Sequence, residues 1–190
     1  MITVMDLETT GLVRPGKDTL PGITQIGAIK LDADLNEIAS FTMDVNPELI
    51  PDEWEQGAID LRGVGPNDLI HCPTFFAAFY PFADFVRGSV IWCGHNINSF
   101  DTIVLSRNLY RYGFTHHFPW PSFHIDTMDL CRKEYGKRRK LGDVYKDITG
   151  NKLEGAHEAL PDIRATATIL RTFGAEEAKQ FLRRVEYAKT

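Results

Sequence analysis

The sequence predicts an α/β domain, built as a mixed five-stranded sheet in which an antiparallel meander is followed by parallel strands, with helices flanking it. Three observations lead there. Apolar, β-branched runs around Ile2 to Asp6, Thr24 to Leu31 and Ile38 to Val45 come first, with short links suited to a meander. Helical periodicity then alternates with two further short runs near Val90 and Ile125. Finally, 190 residues without a Pro/Ser/Gly linker or repeat read as one domain, 1–190, long enough for a sizeable core.

Each element has a local reason. Met1 to Leu7 is apolar and ends in the turn-prone Thr9-Thr10-Gly11, so it reads as a buried strand whose alternation aims Asp6 and Glu8 to one side, near its carboxyl end. From Thr74 to Arg87, Phe75, Phe76, Phe79, Tyr80, Phe82 and Phe85 recur at helical spacing. Most of them belong to the core, and Pro81 predicts a kinked or two-part helix. Ser89 to Cys93 reads as a buried strand, then a polar turn Gly94 to Asn98, then a helix from Ser99 to Tyr112 with Ser99 as N-cap and Asp101 in its first turn. His116 to Pro121 forms a stiff aromatic loop, either folded onto the core or offering rings to stacked bases. A short helix is expected at Gly142 to Asp147. Pro161 confines the start of the next helix to between Glu158 and Pro161, since a proline deeper in a helix loses a hydrogen bond and clashes with the preceding turn. That helix runs to Phe173, with Asp162 in its first turn, Ile163, Ala167 and Leu170 as its buried stripe, and His157 in the loop before it. A last helix is expected from Ala175 to Ala188.

Four acids thus fall in or beside apolar segments: Asp6, Glu8, Asp101 and Asp162. Carboxylates there are costly to desolvate unless a cation meets them, and divalent metal ions commonly do. Each acid alone has a plainer explanation, as a turn cap, an ion-pair partner or a residue compensating a helix dipole. Their recurrence in three segments favours a metal site. A lone His157 would ordinarily be a capping or surface residue. Its nearness to Asp162 raises its standing.

The ordered set Asp6-Leu-Glu-Thr-Thr-Gly11, His95-Asn96 with Phe100-Asp101, and His157 with Asp162 resembles the three motifs of the DEDDh-type (DnaQ-like) 3′-to-5′ exonucleases. The resemblance runs from Ile2 to Phe173 and implies a ribonuclease-H-like fold. It further implies that Asp6, Glu8, Asp101 and Asp162 hold two divalent ions, Mg²⁺ or Mn²⁺, roughly 4 Å apart. His157 becomes the general base toward the attacking water. Thr9, Thr10, Leu12, Asn96 and Phe100 become substrate contacts, although Leu12 could simply pack under the turn. Two departures stand out. The segment Val13 to Gly22 is longer than the common form, and Pro161 replaces a helix former.

The implied activity is release of nucleoside 5′-monophosphates from single-stranded 3′ ends, DNA favoured. Alternatives are an exoribonuclease or oligoribonuclease, a non-catalytic nucleic-acid-binding or polymerase-tethered module, and a nucleotide phosphohydrolase. Partners would be DNA or RNA 3′ ends, a polymerase or other replication protein, or a second copy in a homodimer. A net charge of −5 argues against coating nucleic acid by bulk attraction, whereas two divalent ions would bring it to about −1 and make the cleft locally attractive. Arg132, Lys133, Lys137, Arg138, Arg139 and Lys140 form the dense basic cluster, read either as a phosphate track or as a solvated helix end. His116 and His117 have no cysteine or third histidine at ligand spacing, which disfavours zinc. Cys72, Cys93 and Cys131, without a Cys-x-x-Cys, predict free thiols. With no leader pattern or membrane-length apolar run, a cytoplasmic protein with no membrane partner is expected.

Overall fold

A computed structural model of the chain describes residues 1–14, 20–49 and 51–185. Residues 15–19 of the Val13 to Gly22 segment therefore lie outside the described residues. The strands are β1 (Ile2–Thr9), β2 (Ile23–Leu31), β3 (Glu37–Asp44), β4 (Ile91–Gly94), β5 (Phe123–Asp126) and β6 (Arg183–Arg184). The helices are α1 (Gln56–Arg62), α2 (Phe75–Val86), α3 (Asp101–Arg111), α4 (Thr127–Tyr135), α5 (Leu141–Thr149), α6 (Ala159–Phe173) and α7 (Ala175–Lys179). One mixed sheet has the order β3-β2-β1-β4-β5-β6, antiparallel across β1, β2 and β3 and parallel across β1, β4 and β5.

Strand alternation sorts the core into two layers. Met5 and Leu7 of β1 pack with Phe75, Phe79 and Phe82 of α2 and Val104, Leu105 and Leu109 of α3. Val4, on the opposite face, packs with Ile29, Leu31 and the predicted stripe Ile163, Ala167 and Leu170 of α6. Asp6 and Glu8 share the face of Val4 by the two-residue period, so they extend the α6 layer beyond its apolar part. Gly27 stands opposite Asp6 in register, and a Cβ there would lie 2.4 Å from the Cβ of Ala159. The glycine is what lets the first residue of α6 sit directly on the sheet beside the acids.

Several expectations need correction. The sheet has six strands, not five, because Arg183 and Arg184 pair antiparallel with His124 and Phe123. The helix expected over Ala175 to Ala188 stops at Lys179, and 186–188 lie outside the described residues. The open backbone of β5 outweighs local helix propensity there. Pro81 does not divide α2. It lies on the exposed side with Phe76, Ala77 and Tyr80, so the Ala77 carbonyl it frees faces solvent. α3 begins at Asp101 with Phe100, not Ser99, at the N-cap position. α1 and α4 had no counterpart among the expected elements. The aromatic loop folds inward, with Phe118 buried and Trp120 packed against Trp92. No helix among the described residues is long and apolar enough to cross a membrane.

Candidate functional site

The parallel ladder between β1 and β4 ends at Val4 opposite Cys93, and beyond it β1 runs on without that neighbour. Gly94 brings β4 to its end with Met5 O only 3.1 Å from where a Cβ would stand. The chain turns through 95–100 into α3, and the Leu7 N–H donates to Asp101 Oδ1 at 3.0 Å. A buried carboxylate thus takes the place of the missing strand partner. Asp162 arrives from the other face, in the first turn of α6.

Carboxylate oxygens of Asp6, Glu8 and Asp162 all lie within 4.8 Å of one another, the one such grouping able to hold a metal ion among the described residues. Asp101 stands outside that trio but is close enough to raise the pKa of Asp6. Burial, followed by repulsion from Asp101, Glu8 and Asp162, pushes Asp6 well above the usual carboxylate range. Burial and then Asp162 push Glu8 to about 7, against a lowering influence from Arg62. Burial carries Asp101 to about 7 despite the hydrogen bond from Leu7. Asp162 is raised too, again chiefly by burial. One of its oxygens, Oδ1, is buried with no hydrogen-bond partner. Repelling, desolvated carboxylates with an unpartnered oxygen are a donor set that a hard divalent cation fits.

His157 adopts a left-handed backbone, φ 70°, and its N–H donates to Asp162 Oδ2 at 3.2 Å. Its exposed side chain lines a cleft of about 380 Å³ together with Leu7, Glu8, Thr9, Leu12 and Phe100. Leu12 is 61% exposed, so it does not pack under the turn. The far wall comes from Ala58 and Leu61 of α1, with Glu55 just before it.

Of the sequence candidates, the fold brings together Asp6, Glu8, Asp101, Asp162, His157, Thr9, Leu12 and Phe100. It places two elsewhere. Thr10 is fully buried, and its hydroxyl accepts from Gly22 N at 3.0 Å while its carbonyl accepts from Glu55 N at 2.8 Å, which ties the first turn to α1. Asn96 sits off the cleft; its N–H donates to Asp126 Oδ1 at 2.8 Å and its side-chain oxygen accepts from Arg138.

Sequence reasoning missed several supporting residues. Asp126 accepts from the backbones of Asn96, Asn98 and Met128, capping α4 and fixing the turn into Asp101; the available signal was an Asp directly before Thr-Met-Asp. Gln25 lies opposite Glu8, accepts from Ala159 N at 2.8 Å and donates to Asp44 and Glu158, so it caps α6 from the sheet. A lone Gln inside a β-branched strand was its signal. Arg62 at the end of α1 meets Asp44 at 2.6 Å and Glu158 at 3.5 Å, and nothing in the sequence marked it.

Residues 3–170 match the family RNase_T, described as "Exonuclease". The DNA polymerase III PolC-type of Clostridium perfringens is 34% identical over 171 residues, covering 88% of this chain and 11% of that protein. The chain spans between 11% and 65% of the length of the curated relatives it matches. Among solved structures, Escherichia coli ExoI in a zinc-bound complex with single-stranded DNA superposes with a TM-score of 0.76 at 20% identity, over 95% of this chain and 41% of that one. Exonuclease X with 5′-overhanging duplex DNA gives 0.64 at 20% identity, over 95% and 97%. These superpositions establish the fold.

Proposed function

The chain belongs to the RNase_T exonuclease family, and from that premise we propose a metal-dependent 3′-to-5′ exonuclease that acts on single-stranded 3′ ends, DNA before RNA, and releases nucleoside 5′-monophosphates. The observation that carries this reading is the convergence of Asp6, Glu8 and Asp162, with one Asp162 oxygen left without a partner. Asp6, Glu8 and Asp162 would hold one divalent ion, Mg²⁺ or Mn²⁺, and Asp6 with Asp101 a second. Bound ions supply an acidified water and neutralise charge on the phosphoryl and leaving 3′ oxygens.

The remaining work falls to the chain's own residues. His157 takes a proton from the attacking water at a ring nitrogen, and its backbone bond to Asp162 keeps it at the carboxylate cluster. Leu12 and Phe100 present apolar surface to the terminal base, and Thr9 lies beside Glu8 within reach of the sugar. We read residues 1–190 as one exonuclease domain, and its three free thiols support a reducing compartment such as the cytoplasm. Similarity to part of a PolC-type polymerase makes a polymerase a candidate partner.

End-labelled single- and double-stranded DNA and RNA of one sequence, incubated with Mg²⁺, Mn²⁺ or chelator and read by product length, test this. Stepwise shortening from the 3′ end in either ion, none in chelator, and faster loss of single-stranded DNA are expected. Hydrolysis confined to free nucleotides, or undiminished by chelator, would overturn the reading.

A further inference from the structure

The basic cluster from the last turn of α4 to the start of α5 divides into paired and unpaired cations. Lys133 pairs with Glu177 at 2.8 Å and stands over the Phe181 ring; Arg139 pairs with Asp147 and lies over Tyr135. These two hold helices together. Arg132, Lys137, Arg138 and Lys140 are exposed and form no ion pair among the described residues, and the last three lie together in the link between α4 and α5. Their positions are fixed nonetheless. The His95 ring lies between the Arg139 carbonyl, which accepts from Nε2 at 2.8 Å, and the Thr127 hydroxyl, 2.8 Å from Nδ1. Beside it, the Arg138 guanidinium donates to Asn96 Oδ1. The short basic segment is thereby fastened at two points to the turn that carries Phe100 into the cleft and Asp101 onto β1.

We propose that Lys137, Arg138 and Lys140 form a track for the phosphates of the strand upstream of the scissile bond, registered to the acidic cluster by His95 and Asn96. This rests on the exonuclease reading above, but it concerns how the substrate is held and not how it is cut. The occupant follows from charge and continuity. In a chain of net charge −5, the α4–α5 link exposes three cations without an ion pair beside the turn that carries Phe100 into the cleft, and a polyanion extended from the cleft across that turn would meet them. Ordering the segment before substrate arrives lowers the entropic cost of engaging it.

Binding of a fluorescent 12-nucleotide oligothymidylate in chelator, measured by anisotropy between 50 and 200 mM salt, tests the track without any need for hydrolysis. Lys137→Ala/Arg138→Ala/Lys140→Ala is expected to bind about ten-fold more weakly at the lower salt, with a salt slope shallower by about 2, since single-strand contacts contribute about 0.7 each. Lys137→Glu/Lys140→Glu, which leaves the Arg138 bond to Asn96 in place, should weaken it further. In Mg²⁺, the ratio of kcat/KM on the 12-mer to that on a trinucleotide should fall about ten-fold in either variant, because the trinucleotide does not reach along the track. An unchanged Kd and salt slope, or an equal loss on both substrate lengths, would overturn the track. Wild-type binding with the expected salt slope but no cleavage would sink the catalytic reading while leaving the track standing.

Discussion

At the scale of single residues, the acidic cluster is built against its own stability. Asp6, Glu8, Asp101 and Asp162 are each raised by burial, and Asp6 and Glu8 further by one another's neighbours, so neutralising one should relieve the metal-free fold while disabling it. Asp162→Asn keeps size and shape, but it removes a charge from the orphan-bearing carboxylate. It is expected to melt higher than wild type in chelator, to gain less from Mg²⁺, and to lose at least about 10²-fold in kcat. A melting point below wild type in chelator would show that the Asp162 bond to His157 matters more than the repulsion. Asp6, Glu8 and Asp162 were legible because strand alternation and a helix start each fix direction. Thr10 and Asn96 were misplaced because motif spacing says which residues lie near a turn, not which way the backbone of that turn faces; both are held by main-chain bonds that no local pattern encodes.

At the scale of elements, the site depends on how closely α6 approaches the sheet. Gly27 opposite Asp6 leaves the space that Ala159 fills, and the Ala159 backbone carbon lies 3.2 Å from where a Cβ would be. Gly27→Val must push back a helix backbone, not a flexible side chain. It is expected to cost about 1–3 kcal/mol in urea unfolding and to withdraw Asp162 and His157 from Asp6, abolishing activity even where the protein folds. Gly142→Ala in α5 is the contrast, since nothing lies within 4 Å of the new Cβ; it should stabilise by about 0.4–1 kcal/mol and leave activity intact. If Gly27→Val retained wild-type turnover, close helix-to-sheet contact would not be what positions the acids. The long periodic elements, α2, α3 and α6, were readable because their apolar stripes face a layer. α1, α4 and β6 were not, since α1 buries none of its residues and β6 exists only by pairing with β5.

At the scale of the whole molecule, the same carboxylates couple folding to pH and to metal. A carboxyl with a higher pKa folded than unfolded contributes stability that is fully present below its unfolded pKa and is lost as pH rises through its folded pKa. For Glu8 that window runs from 4.5 to about 7 and for Asp101 from 3.8 to about 7, so the metal-free protein loses this contribution between roughly pH 4 and 7. His124 works in the opposite sense. Burial lowers it from 6.5 to about 4, so the stability from its neutral ring is present above 6.5 and lost as pH falls through about 4. His95, also lowered chiefly by burial, adds to that trend. A single melting curve against pH therefore mixes two opposed effects, and the difference between Mg²⁺ and chelator at each pH separates them, because the histidine contributions are common to both. At pH 5 Glu8 and Asp101 hold protons and an ion gains little; at pH 8 both are charged and ready to bind it. The expected gain in Tm from 10 mM Mg²⁺ is near zero at pH 5 and several °C at pH 8, and it should vanish at both in Asp6→Asn/Asp162→Asn. A gain that is equal at the two pH values, or that survives in the double variant, would mean that the ion binds somewhere other than among these carboxylates.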